Sequence, residues 1–437
     1  MIILYRGDLM TNKKLVIVSL DAFGSDDLAY ALTLPNFNKF RQEAALVENV
    51  ETVYPSLTYM CHTSIVTGQY PKDHGIINNT LLQPDLLSPD WYWYTRYIKS
   101  PTLFEIASNH GLTVSTILWP VTGKSVAIDY NIAEIFANRK WHSQIAVSLF
   151  ASSPKYLLEK NHKFGHLRSG IKQPELDDFV TAVAVDTIKK EEPDVLALHL
   201  VDLDSTRHGY GVKSPESKAA LERMDNHLGQ LMKALESTEA YKDAHVVLLG
   251  DHYQIDTHTV IRPNHLFKNA DLIRIDKQNK IQDYDVYAKG ADGSTYIYVK
   301  NHDDFIMDEL KTLLTPLAPY IDKIYSQNEA IALGADPNCF ALVEAKAGYY
   351  FESDIERPIL EDTNKSIPGV KFLKASHGYS PEKENYTTMF MAKGPKIKMG
   401  ETISKGRLID EGPTMLAMLD LAFNTPVEGK VIEQIFK

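Results

Sequence analysis

Three apolar, β-branched stretches of this 437-residue chain each run into an aspartate. They are LVIVSL before Asp21, VLALHLVDL before Asp204 and HVVLLG before Asp251. In an open α/β sheet the ligand crevice lies at the carboxyl ends of the strands, so three such strands would deliver three carboxylates to one edge. His208 follows Asp204 by four residues and His252 directly follows Asp251. Carboxylate and imidazole groups together are typical ligands of zinc-like divalent metals, so the pattern predicts a metal site at that edge.

The composition limits the classes of partner. Apolar residues make up 44% of the chain and charged residues 24%, as in an ordinary globular enzyme. The 46 basic and 57 acidic residues give a net charge of −11, which argues against a general affinity for nucleic-acid backbones or anionic membranes. A small anionic substrate stays compatible, because a bound metal reverses the local field. We therefore expect a small-molecule substrate and no stable nucleic-acid or membrane partner.

The cysteines and the N-terminus indicate a cellular compartment. Only Cys61 and Cys339 occur, so no disulfide framework suggests secretion. The opening MIILYRGDLMTNKK lacks an apolar core of signal-peptide length, and no run approaches the roughly 20 apolar residues that span a bilayer. We expect a cytoplasmic protein. Residues 1–12 form an N-terminal extension, and either Met1 or Met10 is the start.

Strand and helix patterns alternate along much of the chain, which predicts a largely parallel sheet covered on both faces. In SLTYMCHTSIVTG, Ser56 is the expected helix N-cap and Gly68 the stop. Thr58 then falls in the first helical turn, where the macrodipole favours negative charge. The segment SPESKAALERMDNHLGQLMKALES, beginning at Ser214, has the clearest helical periodicity.

The pattern becomes less regular after residue 252. We expect residues 13–252 and 375–437 to form the catalytic core, and residues 253–374 to be an inserted region that is partly a small subdomain. No internal repeat is visible.

Several motifs occur in one order along the chain. They are SLDAF at 19–23, YPSLTYMCHTSIVTGQYPKDHGIINN at 54–79, DSTRHGYG at 204–211, GDH at 250–252 and SHGY at 376–379. Together they resemble the nucleotide pyrophosphatase/phosphodiesterase branch of the alkaline phosphatase superfamily. The resemblance runs from about residue 14 to 430. It implies an α/β fold, namely an alkaline-phosphatase-like three-layer α/β/α sandwich with a mostly parallel central sheet and a small inserted subdomain.

The resemblance also implies a site with two divalent metal ions, for which the ligand types favour zinc, with manganese as the alternative. Thr58 would be the nucleophile and a bridge to one metal, and Asn79 would hold a phosphoryl oxygen. The metal ligands would be Asp204, His208 and His377 for one ion, and Asp21, Asp251 and His252 for the other.

The activity implied is hydrolysis of phosphodiester or pyrophosphate bonds through a phospho-threonine. A threonine hydroxyl is a poor nucleophile at neutral pH and needs a metal or a base, and the predicted position of Thr58 supplies a metal. Two alternatives stay open: a phosphomonoesterase or phosphonoacetate-hydrolase-like enzyme on the same scaffold, and a metal-binding scaffold without turnover.

The expected substrate contacts are Tyr59 and Arg207. Tyr59 matches an aromatic position that stacks on a nucleotide base in the family. The WYWYTRY run at 91–97 would offer the opposite face or merely cover the edge of the sheet. Arg207 replaces a small residue of the family pattern, and would meet a second phosphate or pair with a surface carboxylate. Leu57 and Tyr253 also depart from that pattern.

Overall fold

A computed structural model describes residues 13–86, 88–300 and 306–437. The predicted extension at 1–12, with both candidate starts Met1 and Met10, lies outside these ranges. Within them, no helix has the length and apolar character needed to cross a bilayer.

Strands and helices alternate over the first half of the chain, and short strands dominate the stretch after residue 252. The strands are β1 Leu15–Leu20, β2 Ala45–Glu51, β3 Val114–Ile117, β4 Tyr130–Ile132, β5 Val195–Leu200, β6 His245–Gly250, β7 Ile255–Asp256, β8 Thr259–Ile261, β9 Ile273–Ile275, β10 Ile281–Tyr284, β11 Val286–Ala291, β12 Ser294–Val299, β13 Ile321–Ser326, β14 Ala341–Ala345, β15 Tyr349–Phe351, β16 Leu360–Asp362, β17 Ala375–Ser376, β18 Thr388–Lys393 and β19 Thr402–Arg407. The helices are α1 Leu28–Ala31, α2 Pro35–Glu43, α3 Thr58–Thr67, α4 Pro71–His74, α5 Leu103–Asn109, α6 Gln144–Ala151, α7 Pro154–Phe164, α8 Glu175–Lys190, α9 Asp202–Tyr210, α10 Pro215–Glu236, α11 Pro263–Asn269, α12 Met307–Leu313, α13 Gln327–Ala332 and α14 Glu411–Met418.

An eight-stranded sheet forms the centre of the molecule, in the order β19-β2-β18-β6-β1-β5-β3-β4. Its pairs are parallel except for the two that β18 makes with β2 and β6. The α/β class and the mostly parallel sheet expected from the sequence are confirmed. The predicted long helix is α10, where the Ser214 side chain accepts a hydrogen bond from the Ser217 amide at 3.1 Å.

Helices cover both faces of this sheet. Leu15 and Ile17 of β1 face an apolar core with α3, α5 and α14, whereas Val16 and Val18 face a second core with α2, α8 and α10. All six residues of β1 are buried, as are all six of β5 and of β6. Burial on both faces explains why these strands read as continuous apolar runs.

The chain between β6 and β17 builds further sheets with their own apolar core. Strands β11, β12, β14 and β13 form an antiparallel sheet, and β15, β8 and β16 form a smaller one. The chain returns to the main sheet through β17, which pairs with β7. The amide of Gly293 then donates to the carbonyl of His377 at 2.7 Å, and this contact fixes the residue that follows β17.

Candidate metal centre

Three neighbouring strands place the acidic residues. The register sets Leu20 of β1 opposite Leu200 of β5 and Gly250 of β6, so the three strands end level with one another. Asp21 and Asp251 therefore emerge side by side, and the Ala22 amide donates to Asp251 Oδ1 at 3.1 Å. Ala22 has a φ of 62°, a left-handed conformation that turns the chain directly after Asp21.

The first cluster joins Asp21, Asp251 and His252. His252 Nε2 lies 3.4 Å from Asp21 Oδ1 and 3.3 Å from Asp251 Oδ2. Both carboxylate oxygens are buried and have no hydrogen-bond donor among the described residues. A buried charged oxygen without a partner is costly, so these atoms fit a cation ligated between them. The three residues form a candidate metal site in which all ligand atoms lie within 4.8 Å of one another.

The second cluster is built on α9. Asp204 and His208 stand four residues apart on one helix face, and His208 Nε2 lies 3.3 Å from Asp204 Oδ1. His377 Nε2 approaches the same oxygen at 3.9 Å. The Nδ1 atoms of both rings bond backbone carbonyls, His208 that of Ala375 at 2.8 Å and His377 that of Ser56 at 3.0 Å. These bonds make Nδ1 the donor and leave each Nε2 free to ligate a metal.

The two clusters are contiguous. The rings of His252 and His377 stack with centroids 3.9 Å apart at an interplanar angle of 13°. The ligand atoms of Asp204, His252 and His377 also lie within 4.8 Å of one another. The structure thus brings together all six predicted acid and histidine ligands, which we call the rim: Asp21, Asp204, His208, Asp251, His252 and His377.

Electrostatics show how the clusters differ. Burial, followed by the charge of Asp204, raises the pKa of Asp21 to about 7. Burial and then Asp21 raise the pKa of Asp251 well above its ordinary value. Burial also acts to raise the pKa of Asp204, but His208 outweighs it and the pKa is lowered. The first cluster therefore needs a cation to keep both carboxyls ionised, whereas the second has a partial counter-charge of its own.

Thr58 lies beside the first cluster. It is the first residue of α3, and its Oγ1 is 3.1 Å from His252 Nε2. The helix ends at Gly68 with φ 64°, as predicted, but its N-cap is Leu57 and not Ser56. The Ser56 hydroxyl instead donates to the carbonyl of Tyr379 at 3.0 Å. The start of α3 is therefore held by tertiary contacts, without a side-chain cap.

Asn79 is held next to the start of α3. Its Oδ1 accepts a hydrogen bond from the Tyr59 amide at 3.0 Å, which leaves the Nδ2 group free to donate into the adjoining cavity. Thr58 and Asn79 both line this cavity together with rim residues. The structure thus places the predicted nucleophile and the predicted amide donor on one wall.

The side chains of the two predicted substrate contacts, Arg207 and Tyr59, are both buried. The Arg207 side chain is only 1% exposed; it donates to the carbonyl of Ala22 and to Asp27 and packs on the ring of Tyr253. Of the two partners expected for it, a phosphate or a carboxylate, the structure shows a carboxylate, and this carboxylate is buried. Tyr59 lines the cavity but is 0% exposed, with its hydroxyl 3.2 Å from Glu134 Oε1. The half-buried Trp91, whose ring meets that of Tyr59 edge-on, lines the cavity as well and is the more accessible of the two.

Sequence reasoning missed His199. This fully buried histidine of β5 lies with Nε2 3.0 Å from Asp21 Oδ2 and Nδ1 3.6 Å from Glu134 Oε2. Glu134 also lines the cavity. A histidine inside the otherwise aliphatic strand VLALHL was the available signal, because its side chain has to find a polar partner. His199 thus lies against the carboxylate of Asp21 and restricts its position.

Known proteins match the part of the chain that carries these residues. The family model described as type I phosphodiesterase / nucleotide pyrophosphatase matches residues 15–380. Human ectonucleotide pyrophosphatase/phosphodiesterase family member 1 is 27% identical over 251 residues, which are 54% of this chain and 23% of the human protein. Venom phosphodiesterase 2 of Crotalus adamanteus is 28% identical over 246 residues, 54% of this chain and 26% of the venom protein. The chain therefore spans about a quarter of the length of these curated relatives.

Solved structures show the same fold. Murine ectonucleotide pyrophosphatase/phosphodiesterase 5 superposes with a TM-score of 0.68 at 18% identity, over 97% of this chain and 100% of that chain. An inactive threonine-to-alanine variant of the murine protein, in complex with AMP, matches with the same values. The range that the family model matches is most of the sequence and includes every rim residue, from Asp21 to His377. The chain belongs to the type I phosphodiesterase/nucleotide pyrophosphatase family.

Proposed function

We propose that this protein is a dimetal phosphodiesterase that hydrolyses phosphodiester or pyrophosphate bonds through a covalent phospho-threonine at Thr58. One observation carries the proposal: the Thr58 hydroxyl lies 3.1 Å from His252 Nε2, where two histidine–carboxylate clusters meet. Family membership supports the reaction class. We propose zinc as the metal, because imidazole nitrogens and carboxylate oxygens make up the ligand set.

The rim residues would hold one ion with Asp21, Asp251 and His252, and one with Asp204, His208 and His377. Bound there, two divalent ions supply Lewis-acid activation of the threonine hydroxyl and neutralise charge on the phosphoryl group. The unpartnered oxygens of Asp21 and Asp251 support the first of these assignments.

In the first step Thr58 Oγ1 attacks phosphorus, the bond to the leaving alcohol or phosphate breaks, and the proton of the threonine hydroxyl ends on the leaving group. The amide groups in the first turn of α3 favour the negative charge of the nucleophile and of the phosphorylated residue. The free Nδ2 group of Asn79 donates to charge developing on a non-bridging oxygen. His62 holds the first turn in place, because its Nδ1 donates to the Thr58 carbonyl at 2.8 Å.

In the second step water attacks the phospho-threonine, and the bond between phosphorus and Thr58 Oγ1 breaks. The threonine hydroxyl is restored and a phosphomonoester leaves. We assign the leaving group and the incoming water to the second cluster. In both of its imidazoles Nδ1 is fixed by a backbone carbonyl and Nε2 lies near Asp204, so both Nε2 atoms can ligate the ion beside these groups.

A nucleotide is one proposed substrate. The murine relative was solved with AMP, and Trp91 presents an aromatic surface in the cavity of this chain. Aromatic stacking on a base contributes about 1–3 kcal/mol.

The test compares hydrolysis of bis-p-nitrophenyl phosphate with that of p-nitrophenyl phosphate by metal-replete protein, together with the metal content per chain. We expect two metal ions, loss of activity on chelation, and a clear preference for the diester. The Asp251→Asn variant should lose metal, whereas the control Asp243→Asn, at an exposed aspartate, should keep both ions. A monoester preference would replace the proposal by the phosphomonoesterase alternative.

A further inference from the structure

The chain between β6 and β17 contributes a carboxylate to the cavity. Strands β11 and β12 form a hairpin whose last pair is Ala291 with Ser294, so Asp292 and Gly293 are the two residues of its turn. Asp292 has a φ of 58°, and Asp-Gly is a common sequence in two-residue hairpin turns. Asp292 lines the cavity, and its Oδ2 lies 3.8 Å from His377 Nε2. A hairpin outside the central sheet thus places a charged group beside the second cluster.

The turn is fixed to the segment that carries His377. The Gly293 amide donates to the His377 carbonyl at 2.7 Å, and the Phe351 amide donates to the Asp292 carbonyl at 2.6 Å. A Cβ on Gly293 would lie 2.3 Å from the ring of Tyr379, so the close approach of the turn requires glycine. Because the backbone is held on both sides, the fold determines where the carboxylate of Asp292 lies.

The carboxylate of Asp292 has no lysine or arginine as a partner. Its side chain is 32% exposed, and among the described residues no lysine or arginine lies at ion-pair distance from it. No described residue donates a hydrogen bond to it either. Its negative charge therefore acts on a ligand that occupies the cavity next to His377.

The cavity also offers few cations to a second phosphate of a substrate. Among the described residues that line it, Arg168 is the one lysine or arginine. Arg168 donates to Asn161 of α7 and packs on the ring of Phe179 of α8, so it belongs to the part of the cavity that these helices line. Arg207 pairs with the buried Asp27. A second phosphate at the second cluster would therefore meet a carboxylate and neither of these arginines.

We propose that Asp292 is a specificity-determining residue that disfavours substrates whose leaving group carries a negative charge. The inference rests on the proposed function, which assigns the leaving group to the second cluster. In either reaction the bond from phosphorus to the bridging oxygen breaks and one water is consumed overall. A phosphodiester of two alcohols releases an alcohol, whereas a pyrophosphate releases a phosphate whose charge would lie beside Asp292. Like charges repel strongly in a partly buried cavity, so the chain should act on diesters of alcohols in preference to pyrophosphates.

Three thymidylyl substrates with different leaving groups provide the test on metal-replete protein. The p-nitrophenyl ester of thymidine monophosphate, dithymidine diphosphate and thymidine diphosphate all transfer the same group to Thr58, and they release p-nitrophenol, thymidine monophosphate and phosphate. Wild type should have its highest kcat/KM with the ester. In Asp292→Asn, the ratio of kcat/KM for each diphosphate to that for the ester should rise at least about 10-fold over the wild-type ratio, because a repulsive charge is removed. Comparison of one ratio in two proteins cancels the intrinsic reactivity of the substrates.

Further variants separate the charge of Asp292 from other roles. Asparagine and glycine both tolerate the left-handed φ of this position, so Asp292→Asn and Asp292→Gly should fold. Both should raise the ratio, and a wild-type ratio in Asp292→Gly would contradict a charge effect. Asp308→Asn removes the same charge at an exposed residue that does not line the cavity, and should keep the wild-type ratio. Metal content should be the same in Asp292→Asn and wild type, since a loss of metal would make Asp292 a ligand and overturn the specificity role.

The outcomes distinguish this inference from the proposed function. If Asp292→Asn changes kcat/KM for the ester and for the diphosphates by the same factor, or if wild type prefers either diphosphate to the ester, the role of Asp292 is wrong and the proposed function still holds. Failure of the wild type to hydrolyse any of the three substrates would instead overturn the proposed function.

Discussion

The rim shares one cavity with an apolar region around Ile145 and Ile171, which we call the apolar arm. The residues of the two regions are positioned by different kinds of structure. Asp21, Asp251 and His252 are at most 3% exposed and are placed by the register of three central strands. Ile145 and Ile171 at the arm are more than 70% exposed and lie on a short helix and a connecting segment. The rim is thus part of the core of the protein, whereas the arm is part of its surface. Changes at the rim should alter chemistry and stability, and changes at the arm should alter the choice of substrate.

The largest effect should come from Thr58→Ala. Removal of the nucleophile should lower kcat by about 10⁴-fold or more, because no other hydroxyl of the described residues hydrogen-bonds to His252. Metal content should stay at the wild-type value, since the six acid and histidine ligands remain. Steady-state hydrolysis and elemental analysis measure both quantities. Thr58→Ser should retain part of the rate, and a Thr58→Ala variant that works nearly as well as wild type would rule out the phospho-threonine.

Removal of the metal should make the stability of the protein depend on the protonation of the buried rim carboxyls. The pKa of Asp21 is raised to about 7, and that of Asp251 is raised well above its ordinary value, so the folded metal-free protein holds protons that the unfolded chain has lost above about pH 4. Between about pH 5 and 9 its free energy of unfolding should therefore fall, by about 1.4 kcal/mol per pH unit for each carboxyl that stays protonated. Asp21 contributes to this fall only below about pH 7. The raised pKa of His208, about 9, acts in the same direction.

Thermal unfolding with and without chelator across this pH range provides the measurement. The metal-loaded protein should show a smaller slope, so the stabilisation by metal should be greatest at pH 9. Metal-free Asp21→Asn should lose part of the slope between pH 5 and 7. A metal-free protein that becomes more stable from pH 5 to 9 would refute this account of the rim.

A smaller effect is expected for His199→Ala. Without the imidazole behind Asp21, metal affinity should fall by about 10–100-fold, as is usual when a group that orients a ligand is lost. Titration with metal under competition by a chelator measures it. His245→Ala removes another buried histidine, at the start of β6 and away from the rim, and should leave metal affinity unchanged. Equal affinities for the two variants would mean that His199 only fills space.

The smallest effect should be Trp141→Ala on stability. Trp141 is 80% exposed, so the change should shift the free energy of unfolding by less than about 0.5 kcal/mol. Trp119→Ala, the same substitution at a tryptophan that is 0% exposed, should cost about 3–5 kcal/mol. Chemical denaturation of both variants compares them. A large loss of unfolding free energy in Trp141→Ala would show that residues 139–172 contribute to the stability of the fold.

Local patterns were enough to predict the centre of the site. Strands that end in Asp21 and Asp251, and the four-residue spacing of Asp204 and His208, fix neighbours through sheet register and helix periodicity. The position of His377 required the family resemblance, because the residue returns to the rim only through the pairing of β17 with β7.

The surroundings of the two expected substrate contacts could not be predicted from local patterns. Arg207 precedes His208 on α9, but consecutive helical residues point in different directions, so one reaches the rim and the other a buried carboxylate. The Tyr59 ring meets that of Trp91 edge-on, an arrangement that depends on packing between distant segments. The apolar arm combines residues from β4 to α8 and has no signature in any single stretch.

The antiparallel strand β18 sets the order in which the molecule can be completed during synthesis. It pairs with β2 on one side and β6 on the other, yet residues 388–393 leave the ribosome after every other strand of the central sheet except β19. Until then β2 and β6 each present an open edge, which invites pairing with other chains, and His377 has only just been made. A chain cut before β18 would therefore form an aggregation-prone half-sheet and not a smaller folded protein.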